Sequence, residues 1–162
     1  MMRLLDFGAR TEYAVRTLAI LAERGEGAIV TVKELAEQAE VSVHFLYTIF
    51  DILTRAGIVR QYRGVRRGFS LTRPATDITF FDIVTAIEGP LDKSYCLLDR
   101  RYPCRERGSC AAHGLWQYLR EQAEQAMRSV TLDDIAHQNP PWHRLKERIA
   151  ERVGDGVIPP TR

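Results

Sequence analysis

The stretch that decides the fold is SVHFLYTIFDILTRAGIVRQYRG, residues 42–64. Ser42 is a good N-cap for a helix, and Gly57 supplies the residue that ends one. Between them, apolar residues at helical spacing predict one buried face: Leu46, Ile49, Phe50 and Leu53. The IVRQY of residues 58–62 predicts a strand, and the FSL of residues 69–71 predicts its returning partner. The stretch therefore predicts a helix followed by a β-hairpin.

Two further helices are predicted before this stretch. Residues 9–24 have apolar residues near helical spacing, and Gly25 ends that pattern. Thr31 and Glu34 form a capping box that opens a second helix, with a short strand predicted at residues 28–30. A helical pair of this kind is a weak signal alone, but a basic hairpin directly after it is typical of a winged helix-turn-helix. The predicted fold class is mainly α with a small β wing.

The charge distribution indicates a polyanionic partner. The chain of 162 residues has a net charge of only +2. Residues 41–73, however, hold six arginines against one aspartate, a local charge of +5. This segment has the electrostatic footprint of a double-stranded DNA-binding surface. A solvated basic face that serves only solubility is the alternative.

The winged helix predicts which residues read DNA. The exposed start of the third helix would enter the major groove, with five candidate contacts: Ser42, His44, Phe45, Tyr47 and Thr48. Phe45 either contacts a thymine methyl or packs against the second helix. Arg63 is the best wing candidate, and Arg66 and Arg67 are expected to contact phosphates.

A long helix is predicted after the winged unit. Thr79 caps a shorter helix that closes at Gly89, and a helix of roughly 19 residues, about 28 Å long, then begins at Cys110. Its near-heptad stripe has little to pack on within so small a chain, so a homodimer is expected. The predicted divisions are a DNA-binding domain, a ligand loop, a dimerisation helix with its cap, and a tail: residues 1–89, 90–109, 110–137 and 138–162.

All three cysteines of the chain lie between these units. Cys96, Cys104 and Cys110 are followed by His113, so four soft or borderline ligands fall within the stretch YCLLDRRYPCRERGSCAAH, residues 95–113. Without an apolar leader or membrane span, a cytoplasmic protein with reduced thiols is expected, which favours a metal or iron–sulfur site. Structural zinc, which favours cysteines two to four residues apart, and unliganded cysteines are the alternatives.

The order of these motifs resembles the IscR/NsrR/RirA group of dimeric winged-helix iron–sulfur transcription regulators, the Rrf-two family. The resemblance covers nearly the whole chain to about residue 137. The matching stretches are EYAVRTLAILA (12–22), VSVHFL (41–46), LTRAGIVRQYRG (53–64), GFSLTRP (68–74), ITFFDIVTAIEG (78–89), the three cysteines and VTLDDI (130–135).

The resemblance implies a homodimeric repressor whose operator binding is controlled by an iron–sulfur cluster that senses iron, redox state or nitric oxide. It implies Cys96, Cys104 and Cys110 as ligands. Three thiolates with one other ligand can hold either a 4Fe–4S or a 2Fe–2S cluster, and we favour 4Fe–4S. No enzymatic activity is expected, because neither a C-x-x-C pair nor a His/acid catalytic arrangement is present. The fourth ligand stays open between His113, Glu12 of the partner subunit's first helix and no further side chain. His113 matches the ligand of the IscR-like members, and Glu12 matches the acid of the nitric-oxide sensors.

Two departures from the family bear on DNA recognition. Val65-Arg66-Arg67 stand where a glycine-rich wing tip is usual, which makes this wing more basic. Tyr47 and Thr48 stand where IscR-like members carry an acid and an amide, so a different operator is expected. A clusterless or zinc-containing regulator with a thiol redox switch is the alternative function, and an iron–sulfur redox protein is a more remote one.

Overall fold

The computed structural model describes residues 7–64, 67–90 and 113–137. Within these ranges the chain forms six α-helices, one short 3₁₀-helix and a two-stranded antiparallel sheet. The elements in chain order are α1 (Ala9–Glu23), α2 (Val32–Gln38), α3 (Val43–Arg55), β1 (Val59–Tyr62), β2 (Gly68–Leu71), a 3₁₀-helix (Ala75–Asp77), α4 (Phe80–Glu88), α5 (His113–Arg128) and α6 (Leu132–Ala136). The mainly α fold with a β wing is confirmed.

The two helices of the predicted helix-turn-helix begin at the caps that the sequence indicates. The Thr31 hydroxyl accepts a hydrogen bond from the Glu34 amide, and the Glu34 carboxylate accepts one from the Thr31 amide. The Thr31 hydroxyl also donates to the Glu34 carboxylate at 2.9 Å. This bond, followed by the one from the Thr31 amide, stabilises the charged carboxylate and so lowers the pKa of Glu34. Its capping contribution is therefore present at neutral pH and is lost as the pH falls through that lowered pKa. Ser42 caps α3 by accepting from the Phe45 amide at 3.2 Å.

The wing is docked on the helical unit by a third backbone segment. Strands β1 and β2 pair with Val59 opposite Leu71 and Tyr62 opposite Gly68. The short strand predicted at residues 28–30 does not form, and Val30 instead makes an isolated bridge to Phe69 with N–O distances of 3.0 and 2.8 Å. The wing is thus tied by its backbone to the segment that leads into α2.

One hydrophobic core joins α1, α2, α3 and the wing. The predicted face of α3 is fully buried: Leu46, Ile49, Phe50 and Leu53 all have 0% exposure. The Phe50 ring packs edge-on against Phe69, with 4.6 Å between centroids. Burial of apolar surface is the main source of stability, so the wing and α3 are held by the same core.

The C-terminal helices are joined to the winged unit through paired backbone segments. The Phe80 amide donates to the Val130 carbonyl at 2.8 Å, and the Leu132 amide donates to the Ile78 carbonyl at 2.7 Å. Thr79 and Thr131 form the bridge between these two bonds, and each hydroxyl also caps the helix that follows it. The chain directly after α5 is therefore fixed to the winged unit.

Helix α5 has large apolar side chains that are exposed to solvent. Its described residues span 113–128, whereas the predicted start at Cys110 lies outside the described ranges. Met127 is buried, but Leu115 and Tyr118 are 57% and 55% exposed. No helix in the described ranges is long and apolar enough to cross a membrane. The predicted tail, residues 138–162, and the ligand loop, residues 90–109, lie outside those ranges apart from Pro90.

Replacing Gly68 with alanine is expected to destabilise the wing. A Cβ at this position would lie 2.5 Å from the Val30 carbonyl oxygen and 2.9 Å from the Ile29 side chain. Backbone must therefore shift, at a cost of about 1–3 kcal/mol in the free energy of unfolding, measured by urea denaturation. Gly114→Ala is the matched control, because nothing lies within 4 Å of its added Cβ. Equal stability of the two variants would contradict this account of the docked wing.

Candidate functional site

The first two turns of α3 present most of the predicted DNA-reading side chains to solvent. Ser42, His44, Tyr47 and Thr48 are exposed. Phe45 is only partly exposed, because its ring packs edge-on against Tyr13 of α1 at 5.9 Å between centroids. This contact favours a packing role for Phe45 over a contact with a thymine methyl.

The hydroxyls of α3 differ in what they can offer a base. The Ser42 oxygen accepts from the Phe45 amide, which leaves its own proton available as a donor. The Thr48 hydroxyl donates to the Phe45 carbonyl at 2.7 Å, which leaves its lone pairs as acceptors. Ser42 is therefore suited to an acceptor on the DNA, and Thr48 to a donor such as a base amino group.

Two of the three wing arginines lie in the described ranges. Arg63 and Arg67 are exposed on either side of the hairpin turn, whereas Arg66 lies outside those ranges. Gly64, between Arg63 and the undescribed tip, has a φ of 90°, which L side chains rarely adopt. The turn thus places one guanidinium at the end of each strand.

A cleft that the sequence did not indicate lies at the surface between the wing and the starts of α2 and α3. This wing cleft has a volume of ≈ 330 Å³ and is bounded by the start of α2, the first turns of α3 and both strands. Its lining includes Lys33, Tyr47, Gln61, Tyr62 and Arg67. Lys33, Gln61 and Tyr62 were not predicted as site residues, because only the docking of the wing on Val30 brings them beside α3.

Tyr62 has a perturbed hydroxyl at the edge of this cleft. A hydrogen bond with the Ser70 side chain is the main factor that holds the pKa of Tyr62 below its ordinary value, and Arg60 adds to it. Burial acts in the opposite direction. Both interactions stabilise negative charge on the phenol oxygen, which makes the neutral hydroxyl a better hydrogen-bond donor.

The predicted metal ligands are divided between described and undescribed residues. Cys96, Cys104 and Cys110 lie outside the described ranges, and His113 is the first residue of α5. In the part of the chain that the structure describes, no three His, Cys, Asp or Glu side chains are grouped so that they could hold a metal ion.

Glu12 lies in the first turn of α1 and is already engaged. Its carboxylate pairs with Arg16 at 2.8 Å, and both side chains are largely exposed. Arg16 also donates to the Ala39 carbonyl at the end of α2, at 3.2 Å. Glu12 is thus connected through one arginine to the turn of the helix-turn-helix.

These features define a winged-helix DNA-binding transcription regulator. More narrowly, the chain belongs to the Rrf2 (Rrf-two) family, whose model, described as iron-dependent transcriptional regulator, matches residues 7–138. The resemblance found in the sequence is confirmed.

Individual relatives support the same assignment. A protein of Neisseria meningitidis serogroup A that carries the name of an HTH-type transcriptional regulator is 31% identical over 137 residues, which cover 85% of this chain and 89% of the relative. The HTH-type transcriptional regulator IscR of Vibrio atlanticus is 25% identical over 131 residues, covering 81% of this chain and 75% of that protein.

Solved structures share the fold. The global cysteine regulator CymR of B. subtilis superposes with a TM-score of 0.71 at 26% identity, covering 83% of this chain and 98% of CymR. IscR of T. potens superposes with a TM-score of 0.66 at 24% identity, covering 83% of this chain and 88% of that structure.

Proposed function

We propose that the protein is a homodimeric repressor whose operator binding is controlled by an iron–sulfur cluster held by Cys96, Cys104, Cys110 and a fourth ligand. The observation that carries this proposal is the position of the three cysteines. They fall in the segment between α4, which belongs to the DNA-binding unit, and α5, whose apolar side chains are uncovered. A ligand at this junction would touch both the DNA-binding and the dimerising parts.

The donor set fits an iron–sulfur cluster. Three thiolates with one imidazole or carboxylate are ligands that hold such clusters and leave one iron more labile than four thiolates do. Seven residues separate Cys96 from Cys104 and five separate Cys104 from Cys110, which does not match the close pairs of structural zinc sites. Of the two cluster types, we favour 4Fe–4S. When bound, the cluster supplies an iron centre that responds to iron supply, redox state or nitric oxide.

The chain itself contains the connections that such control needs. His113 opens α5, and the other end of α5 is fixed to Ile78 and Phe80 by backbone pairing. Helix α6 follows directly and packs against α1. A displacement at the start of α5 would therefore be carried into the DNA-binding unit as a movement of one rigid element against another.

Homodimerisation through α5 supports the geometry of operator binding. Leu115 and Tyr118 are large apolar side chains that a second copy of the helix would cover. A symmetric dimer presents two α3 helices to half-sites one DNA turn apart, with Ser42, His44 and Thr48 towards bases and Arg63 at the adjoining minor groove.

A regulator without a cluster is the second candidate function. The observation that favours it is the likeness to CymR, a global cysteine regulator by title, at 26% identity. In this case the three cysteines would respond directly to oxidation through disulfide or sulfenic acid formation. The two candidates share the DNA-binding surface and differ only in what the cysteines hold.

Anaerobic purification and reconstitution of three proteins tests the cluster and its fourth ligand. We expect wild type to carry iron and sulfide with a visible absorption band and Glu12→Gln to behave as wild type. His113→Ala should lose the cluster to a chelator more readily than wild type by over about 100-fold, because loss of a direct ligand costs more than loss of a second-sphere partner. Electron paramagnetic resonance of the reduced protein identifies the cluster type.

The possible outcomes separate the candidates. A colourless wild-type protein without iron or sulfide would contradict the cluster and leave the thiol switch. Loss of the cluster in Glu12→Gln but not in His113→Ala would assign the fourth position to the acid, with Arg16→Gln as the control for removal of the ion pair alone.

A further inference from the structure

The wing cleft combines cationic edges with an apolar floor. Lys33 of α2 and Arg67 of the wing are exposed, and each belongs to a different wall. Three apolar residues form the floor: Val32, Val43 and Phe69. A DNA strand has the complementary pattern, since its anionic phosphates alternate with deoxyribose rings that are largely apolar.

We propose that the wing cleft seats the sugar-phosphate backbone of one DNA strand, with Lys33 and Arg67 contacting phosphates and the hydroxyls of Tyr47 and Tyr62 as further donors. This inference rests on the DNA binding of the proposed function and adds Lys33 and Tyr62 to the interface. It also gives Tyr47 a different role from the base contact that its place on α3 predicts.

The surroundings of Tyr47 support this role. Its ring lies against Phe69 of the wing, with centroids 6.5 Å apart and the planes at 64°, and it is 40% exposed. The tyrosine therefore spans from the recognition helix towards the wing instead of standing alone in solvent. Tyrosine hydroxyls are among the groups that contact DNA phosphates. Phosphate contacts orient a protein on DNA, whereas contacts with base edges read the sequence.

Lys33 is available for a phosphate. Its ion pair with Glu37 is long, at 3.9 Å, and the two side chains are 80% and 66% exposed. Exposed pairs of this kind contribute little, so the ammonium group can leave the carboxylate for a phosphate at small cost. Lys33 also lies in the first turn of α2, directly before Glu34, whose carboxylate is occupied by Thr31.

The width of the cleft is fixed by backbone packing. Gly68 lies so close to Val30 that an added Cβ would overlap its carbonyl oxygen, and the Val30–Phe69 bridge holds the two segments together. The wall that carries Arg67 therefore stands at a set distance from the wall that carries Lys33. A preformed seat of this kind requires little rearrangement when DNA binds.

The test uses non-specific DNA, where phosphate contacts supply essentially all of the affinity. Binding of a mixed-sequence duplex is followed by fluorescence anisotropy over a series of salt concentrations for wild type, Lys33→Gln, Arg67→Gln and Tyr47→Phe. The logarithm of the affinity falls as the logarithm of the salt concentration rises. We expect each cation removed to make this dependence less steep, by about 0.9 in the slope per protomer bound. Tyr47→Phe should weaken binding about tenfold on the mixed-sequence duplex and on an operator selected from random DNA alike, because a hydroxyl on a phosphate is not sequence-specific.

Two matched controls accompany these variants. Arg55→Gln removes an exposed cation at the opposite end of α3, which pairs with Asp51 on its own helix, and should leave the slope unchanged. Glu37→Gln removes the partner of Lys33 but keeps the ammonium group. The salt dependence should then be as steep as in wild type, or steeper. All substituted side chains except Tyr47 are solvent-exposed charges, and Tyr47→Phe keeps the ring on Phe69, so each variant should fold.

The outcomes separate this inference from the function on which it rests. A wild-type protein that binds no duplex even at low salt would overturn both. A wild-type protein that binds, together with cleft variants that keep its full salt slope, would overturn the cleft alone. If Tyr47→Phe weakened binding only to the selected operator, the Tyr47 hydroxyl would contact a base. That result would also contradict the proposed backbone-binding role of the wing cleft.

Discussion

Replacing Phe50 with alanine is expected to lower the free energy of unfolding by about 3–5 kcal/mol. The side chain is fully buried in the face of α3 and contacts the Phe69 ring at 4.6 Å between centroids. Its loss leaves a cavity at the point where the recognition helix, α1 and the wing share one core. Because a domain of this size has a total stability of about 5–15 kcal/mol, the variant should lie near the limit of folding.

The measurement is urea denaturation of wild type and variant at one fixed protein concentration, since the stability of the proposed homodimer would depend on that concentration. Phe50→Leu is the matched control, because it keeps most of the apolar volume and should lose much less stability. Near-native stability of Phe50→Ala would show that the wing and α3 do not share a core. A loss of DNA affinity in Phe50→Leu without a loss of stability would indicate that the aromatic pair also positions the wing.

The helices of this protein were predictable because their signals are local. Ser42, Thr79 and Thr131 each cap a helix through an amide three residues later. The buried face of α3 also follows from residues within one helix. In each case the sequence neighbours that make the signal are the neighbours that make the contact.

The interactions that assemble the helices were not predictable in the same way. Glu88 at the end of α4 accepts hydrogen bonds from Gly8 and Thr11, some 80 residues earlier in the chain. The Val30–Phe69 and Thr79–Thr131 bridges pair single residues, without the alternation that identifies a strand. Such contacts depend on the docked elements and leave no periodic pattern.

The candidate site shows the same division. Exposure of Ser42, His44 and Thr48 follows from their places on an amphipathic helix, whereas the packing of Phe45 on Tyr13 depends on where α1 crosses α3. Nothing in the sequence marked Lys33 as a DNA-contacting residue, because a lysine in the first turn of a short helix is ordinarily solvated. Its relevance arises only from the wing that stands opposite.

The three-dimensional links also explain how a signal near α5 could reach DNA. The Arg16 side chain joins Glu12 to the carbonyl of Ala39, and Tyr13 beside it packs on Phe45 of the recognition helix. Helix α6, which continues from α5, packs on the same α1. Helix α1 thus contacts both α6 and α3, and α4 likewise contacts both α5 and α3.

Replacing Cys104 with alanine is expected to abolish stoichiometric cluster binding under the proposed function. The variant removes one of three thiolates, and loss of a direct ligand should cost more than the roughly 10- to 100-fold that loss of a second-sphere partner costs. We expect the anaerobically reconstituted variant to lack the visible absorption band and to retain no stoichiometric iron or sulfide. Ser109→Ala is the matched control, because it replaces a small polar side chain of the same segment with the same alanine but removes no thiolate. This variant should keep the cluster.

The functional readout separates a cluster from a thiol switch. With a cluster, DNA binding by wild type should change when iron is chelated, while Cys104→Ala, already without its cluster, should bind DNA equally well with and without the chelator. With a thiol switch, wild type should hold no iron, and Cys104→Ala should lose instead the response to an oxidant. A variant that keeps the wild-type iron content and chelator response would exclude Cys104 as a ligand, and with it the three-cysteine site on which the proposed control depends.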